Sequence, residues 1–288
     1  MPSTDLGGDC NHALSAVRRP PLARRTLTVF AVLALSLLAA SVADGRSSKS
    51  SACGARDYSY AGLQSDSRAH GVGATLVPVH TPAVSAGHVG AWIGVGGVNL
   101  GPNGSAEWLQ VGFSAFPSDR MSHIYYEVTV PGSDPRYVEL DSAVKAGEKH
   151  SFKVLEMAHR KAWWRVWLDG KPVSPAIHLP GSHGSWYPQA MAESWNGGVR
   201  ACNSYQYRFS NVTQANADGG DWRPVTRSIS FHDAGYRFVQ TSRIPSSFLA
   251  SSLDISRPVV TTVPERVRRA SARLAATQTA EFTRSRGK

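Results

Sequence analysis

The sequence predicts an all-β protein, a two-layer sandwich of antiparallel sheets. Between residues 53 and 255 no apolar pattern of helical period runs long enough for a helix. Short alternating runs rich in Val, Tyr, Trp and Phe are separated instead by Gly, Pro, Asn and Asp. The Asp169-Gly170 pair between two such runs marks a tight hairpin, because both residues tolerate positive φ. About 200 residues is enough to bury a core between two layers, and no internal repeat is visible.

The clearest strands, in order, are EWLQVGF (107–113), IYYEVTV (124–130), SFKVLEM (151–157), WWRVWLDG (163–170), QAMAESW (189–195), SYQYRFSNV (204–212) and YRFVQTS (236–242). Side chains alternate across a strand, so each run sorts into two faces. In the first, Leu109, Val111 and Phe113 oppose Trp108, Gln110 and Gly112. In the second, Ile124, Tyr126, Val128 and Val130 oppose Tyr125, Glu127 and Thr129. Trp164, Val166 and Leu168 oppose Trp163, Arg165 and Trp167. In QAMAESW, Glu193 shares its side with Met191 and Trp195, away from Ala190, Ala192 and Ser194. Several strands therefore offer one aliphatic face and one that mixes aromatic rings with a polar group. A concave face of that kind suits an extended polymer, peptide or glycan; ordinary aromatic sheet residues on a solvated face fit the pattern equally.

The ends differ from the middle. Arg18, Arg19, Arg24 and Arg25 precede the apolar run VFAVLALSLLAA and a small-residue SVA, the layout of a secretory signal peptide. The run is short of the roughly 20 residues a membrane span needs. The expected division is a signal peptide over 1–43, a linker over 44–56, the β-sandwich over 57–255 and a basic disordered tail over 256–288. The chain is then exported to the extracellular space and meets the membrane only through its transient leader; Arg24-Arg25 is compatible with twin-arginine export.

The net charge of +10 raises the prospect of nucleic acid, but it belongs to the ends. Residues 51–256 hold 17 basic and 16 acidic residues, whereas 257–288 hold eight basic and two acidic. No nucleic-acid partner is expected, and a monomer is. Removal of the leader takes Cys10 with it, leaving Cys53 and Cys202, which in an exported protein read as one disulfide. In the simple entropy model such a loop contributes roughly 4 to 5 kcal/mol. The ten histidines are scattered, and His183 sits in a Gly/Ser loop without a cysteine or carboxylate beside it, so neither a metal nor another cofactor is expected.

Glu193 is the residue that asks for a reason, since an unpaired carboxylate in a buried strand costs on the order of several kcal/mol or takes up a proton. An arginine partner would explain it structurally, and catalysis would explain it functionally.

The ordered set of short motifs resembles the glutamic peptidases, or eqolisins. YAG (60–62) stands near the usual domain start, and VGATLVPV (72–79) resembles that family's second strand. AWIGVGG (91–97) is similar to its Trp-Val-Gly-Ile-Gly-Gly signature, and EWLQVGF to the Leu-Gln-x-Gly strand. IYYEVTVPG (124–132) is similar to the tyrosine-rich strand, AGEKHSFKV (146–154) to the turn and strand after it, and AMAESW (190–195) to Ala-Glu-Trp-Ile. The resemblance spans about 60 to 242 and implies a concanavalin-like, jelly-roll sandwich. It implies that Glu193 activates water for attack on a peptide carbonyl and then protonates the leaving amine. It assigns Gln110 to the water and the oxyanion, and Trp92, Trp108, Tyr125, Glu127 and Trp195 to the substrate cleft. The chemistry is coherent: a glutamate works as base in acid, where histidine is protonated, and an amide N–H stabilises an oxyanion without titrating.

The chain departs from the family pattern where Ser194 stands between Glu193 and Trp195, where WNGG replaces an acidic continuation, and where Tyr126-Glu127-Val128 lacks a second tryptophan. A carbohydrate- or surface-binding module using Trp108, Trp163, Trp167, Trp186 and Trp195 as stacking platforms is the alternative, followed by a structural secreted protein. A retaining β-glucanase fits less well, because Glu193 has no acidic neighbour two or four positions on. Calcium-dependent lectin binding lacks a dense Asp/Asn loop.

Overall fold

Alternating residues in this chain bury themselves on two sides for different reasons, and two sheets follow from that. The computed structural model describes residues 57–197 and 202–252. The strands are β1 (Tyr58–Ser65), β2 (Gly71–Pro78), β3 (His88–Gly97), β4 (Glu107–Ala115), β5 (Ser122–Thr129), β6 (Arg136–Val144), β7 (His150–Glu156) and β8 (Trp163–Leu168). They continue with β9 (Lys171–Pro172), β10 (Ile177–His178), β11 (Gln189–Trp195), β12 (Gln206–Ala217), β13 (Gly220–Pro224), β14 (Ser228–His232), β15 (Tyr236–Gln240) and β16 (Phe248–Ser252). One sheet runs β14-β1-β11-β3-β4-β5-β6. The other runs β10-β8-β7-β2-β12-β16-β15, with β13 beside β12 and β9 beside β8. Every pairing between these strands is antiparallel, so the expected two-sheet sandwich is the fold.

The core lies between the sheets. Leu109, Val111 and Phe113 of β4, Ile93 of β3 and Ala190 and Ala192 of β11 meet Val72 and Leu76 of β2, Phe152 and Val154 of β7 and Phe209 of β12. In β3, β4 and β11 both faces are buried, and membership of the main core, not burial, separates them. In β8, by contrast, Trp164 and Val166 are fully buried while Trp163, Arg165 and Trp167 are half-exposed. The Asp169-Gly170 turn has φ of 47° and 78°, the positive pair a tight hairpin needs.

Other boundaries were less regular than the sequence suggests. SYQYRFSNV continues past 212 because β12 carries a bulge between Ser210 and Thr213, with Asn211 at φ 53°. The extra residue lets the strand run on to Ala217. The Trp186 platform is corrected: its ring packs in the core against Trp164, with centroids 6.3 Å apart, so it offers no face to a sugar. The leader (1–43), the linker (44–56), the tail (256–288) and Cys53 lie outside the described residues, and with Cys53 lies the expected bond to Cys202.

Candidate functional site

The seven-stranded sheet turns its other face away from the core, and it carries the polar residues that alternation singles out. On this side β3 presents His88, Gly90, Trp92 and Gly94, β4 presents Trp108 and Gln110, β5 presents Tyr125 and Glu127, and β11 presents Met191, Glu193 and Trp195. The register sets Glu193 opposite Gly90, and Gln110 between Gly94 and Glu127. All seven expected site residues therefore lie on one face of one sheet.

Aromatic packing fills the ground around them. Tyr58, Tyr60, Trp92, Met191, Trp195 and Phe231 form an apolar cluster separate from the main core. Tyr58 lies 4.6 Å from Trp195 and stacks on Tyr60 at 5.7 Å, centroid to centroid. At the far side Tyr125 stacks on Tyr137 at 4.9 Å. These contacts give buried carboxylates an environment in which each donor counts for more than it would in water.

Glu193 is buried, and among the described residues no arginine pairs with it. Its Oε2 accepts the indole N–H of Trp92 at 2.9 Å, and its Oε1 lies 3.7 Å from Nε2 of His88. Gly90 makes room for this: a Cβ there would stand 3.1 Å from Oε1. His88 was not singled out by sequence, although it shares parity with Trp92 in HVGAW. Ser194, the extra residue between Glu193 and Trp195, points to the opposite side, where its Oγ accepts from Asn203 Nδ2 at 3.0 Å. The insertion thus places Trp195 on the same side as Glu193.

A second tryptophan repeats the device. Trp108 donates its indole N–H to Glu127 at 3.0 Å. Burial, then the charge of Glu193, pushes the Glu127 carboxyl up to about 7, against the lowering effect of the Trp108 N–H. Next to it, Gln110 donates from Nε2 to the Tyr125 hydroxyl at 3.1 Å. Burial, then the charge of Glu193, also raises Tyr125 well above the ordinary tyrosine range. Glu193 is thus felt electrostatically at both neighbours of Gln110.

Gln110 and Glu193 share the face without being adjacent. They flank β3 on opposite sides and are four residues apart along it, roughly 16 Å between Cα atoms in a flat sheet. Trp92 stands between them.

One end of the face is acidic. His123 has Nε2 2.9 Å from Asp119 Oδ2 and Nδ1 3.0 Å from Glu139 Oε2. Phe116 lies between the two histidines, its ring 6.0 Å from His88 and 5.7 Å from His123. Among the described residues no three His, Cys, Asp or Glu side chains gather to hold a metal ion.

The remaining candidate aromatic platforms are not together. Trp163 and Trp167 stand on the outer face of the second sheet, and the Trp163 ring already packs against His178 at 4.9 Å and beneath Arg160 at 4.4 Å. A buried acid outside the face was also not foreseen. Glu107 opens β4 on the core side, accepts the Gly181 N–H at 3.0 Å, and is pushed by burial up to about 7.

Comparison with known proteins gives structural likenesses alone. No family model matches the sequence, and no curated protein matches it. A scytalido-glutamic peptidase bound to a peptide-based transition-state analogue is 13% identical, with a TM-score of 0.47 over 68% of this chain and 98% of that one. SCP-B, an eqolisin peptidase in complex with the tripeptide Ala-Ile-His, is 16% identical, with a TM-score of 0.41 over 69% and 98%. The carbohydrate-binding module CBM66 from Bacillus subtilis is 12% identical, with a TM-score of 0.24 over 57% and 77%.

Proposed function

We propose that the chain is an exported endopeptidase of the glutamic type, acting on extended polypeptide in acid. The observation that carries this reading is Glu193 itself: a buried carboxylate on an aromatic sheet face, beside an indole N–H and an imidazole and, among the described residues, no arginine, with a glycine clearing the space next to it. An ion pair would lock the carboxylate; the indole N–H orients it and leaves it able to take a proton.

In this mechanism Glu193 removes a proton from a water molecule as the water's oxygen bonds to the scissile carbonyl carbon. The carbonyl oxygen takes up the electron pair, and the amide of Gln110 donates to it. One hydrogen of that NH2 group goes to Tyr125, which leaves the second for the oxyanion. Collapse of the intermediate breaks the C–N bond, and Glu193 returns its proton to the departing amine. For one water and its carbonyl to touch both groups, the concave face has to bring the two side-chain tips well inside the roughly 16 Å that separates their Cα atoms in a flat sheet, around Trp92 between them. The motif resemblance over about 60 to 242 supports the same assignment.

Digestion of a denatured protein at about pH 3 to 6 tests it. Wild-type chain is expected to cut the substrate, and Glu193→Gln to lose on the order of 10²-fold or more. Equal cutting by both would reject Glu193 as the base. A non-catalytic glycan-binding role is less well supported, since its candidate platforms divide among the site face, the core and the second sheet.

A further inference from the structure

The outer face of the second sheet carries charge of one sign. The side chains that its strands direct away from the core include Arg165 on β8, Lys153 on β7, Arg208 on β12 and Arg237 on β15, and among the described residues no Asp or Glu. Acids in the turns at its margins are engaged. Asp169 meets His150 Nδ1 at 2.7 Å, Asp218 accepts the His159 N–H at 2.6 Å, and Asp221 pairs with Arg223 at 3.1 Å.

Register gives the four cations a common line. Arg165 reaches Gly71 of β2 through Leu155, and Lys153 pairs with Gly73. Arg208 pairs with Val77, and Arg237 leads through Ser251 to Gln206, one place past the Tyr207–Pro78 pair. Each step across the sheet toward β15 is thus also a step along it in one direction. The cations fall on a single diagonal, with successive Cα separations of about 8, 17 and 12 Å in a flat sheet.

These side chains are placed without being neutralised. Lys153 Nζ lies 4.9 Å from the centre of the Trp222 ring, which comes close over Gly73, where a Cβ would stand 3.2 Å from it. Arg165 stands between Trp163 and Trp167 on one side of β8, and its Nε is buried with no acceptor. A buried donor of that kind is costly until a partner arrives. None of the four forms an ion pair among the described residues.

We propose that this diagonal binds a linear acidic polysaccharide, whose sugar carboxylates meet Arg165, Lys153, Arg208 and Arg237 by charge-assisted hydrogen bonds. The occupant follows from charge complementarity and from the line itself, which suits a linear polyanion better than a layer of lipid headgroups. Nucleic-acid bases want free aromatic faces. Here Trp163 already packs against His178 and Arg160, and Trp222 against Lys153. The surface lies on the other sheet from Glu193 and does not depend on hydrolysis.

Binding of the full chain to polygalacturonate tests it. A variant carrying Lys153→Gln, Arg208→Gln and Arg237→Gln is expected to bind about tenfold more weakly than wild type. A control carrying Arg266→Gln, Arg268→Gln and Arg269→Gln loses the same charge from the basic end and is expected to stay within about threefold. Equal losses in the two variants would overturn the proposal, because binding would then follow net charge. The methyl-esterified polymer is expected to bind at least tenfold more weakly than the acid; equal affinity would remove the carboxylates from recognition. Single-stranded DNA of similar length binding as tightly as the polyuronate would overturn the choice of a glycan. Glu193→Gln is expected to bind like wild type, and a loss there would contradict a site on the second sheet.

Discussion

Two tryptophan–glutamate pairs stand on the same face, and the difference between them is chemical. Trp92 holds Glu193 and Trp108 holds Glu127, each by an indole N–H at about the same distance, 2.9 and 3.0 Å. Glu193 has an imidazole beyond its indole and lies over Gly90. Glu127 sits across from Gln110, and its carboxyl keeps a proton up to about 7, partly because Glu193 is charged. The same local device therefore stands beside an imidazole and a glycine at one site, and across from Gln110 at the other.

The comparison breaks most sharply at Gln110. Gln110→Ala is expected to lower the rate of peptide hydrolysis by on the order of 10²-fold, measured by initial rates at saturating substrate. A loss smaller than about threefold would remove Gln110 from the oxyanion role. Next in size is the indole exchange. Trp92→Phe takes the orienting donor from Glu193 and is expected to cost about tenfold in kcat. Trp108→Phe performs the same operation on Glu127 and is expected to change kcat less than about threefold. Equal effects from the two would erase the distinction between the pairs.

A smaller effect is expected in stability against pH. Glu127 and Glu107 have folded-state values raised to about 7 from an ordinary carboxyl value of 4.5. Between those limits the folded chain binds more protons than the unfolded chain. Stability is then fullest below about 4.5, falls as pH rises toward about 7, and levels off above. Thermal melting across that window is expected to show a fall of several degrees, reduced in Glu107→Gln and in Glu127→Gln; a melting temperature rising over the same window would contradict the sign. Gly90→Ala pushes a methyl toward Glu193 Oε1 and is expected to lower kcat by no more than about twofold with little change in melting temperature, the smallest of these effects. An unchanged kcat would show that the carboxylate needs no such clearance.

Much of this arrangement was legible because alternation is a local property. Parity alone put Glu193 with Met191 and Trp195, and Gln110 with Trp108, on the side away from the aliphatic residues, and the structure keeps every one of those placements. What parity cannot supply is register. The contact of His88 with Glu193 and the opposition of Gln110 to Glu127 depend on how β3, β4, β5 and β11 slide past one another. Trp186 was misread because it belongs to no long strand, so no alternation assigned it to the core. The bulge at Ser210–Thr213 escaped for a similar reason, since Asn211-Val212-Thr213 looks like the end of a strand and is an interruption within one.

The central claim is that Glu193, and not Glu127, is the base. The most direct measurement is the rate of peptide hydrolysis in acid for Glu193→Gln and Glu127→Gln side by side, with circular dichroism confirming that both are folded. Glu193→Gln is expected to fall by on the order of 10²-fold or more and Glu127→Gln to stay within about tenfold of wild type. Loss of activity in Glu127→Gln with Glu193→Gln still active would contradict the account.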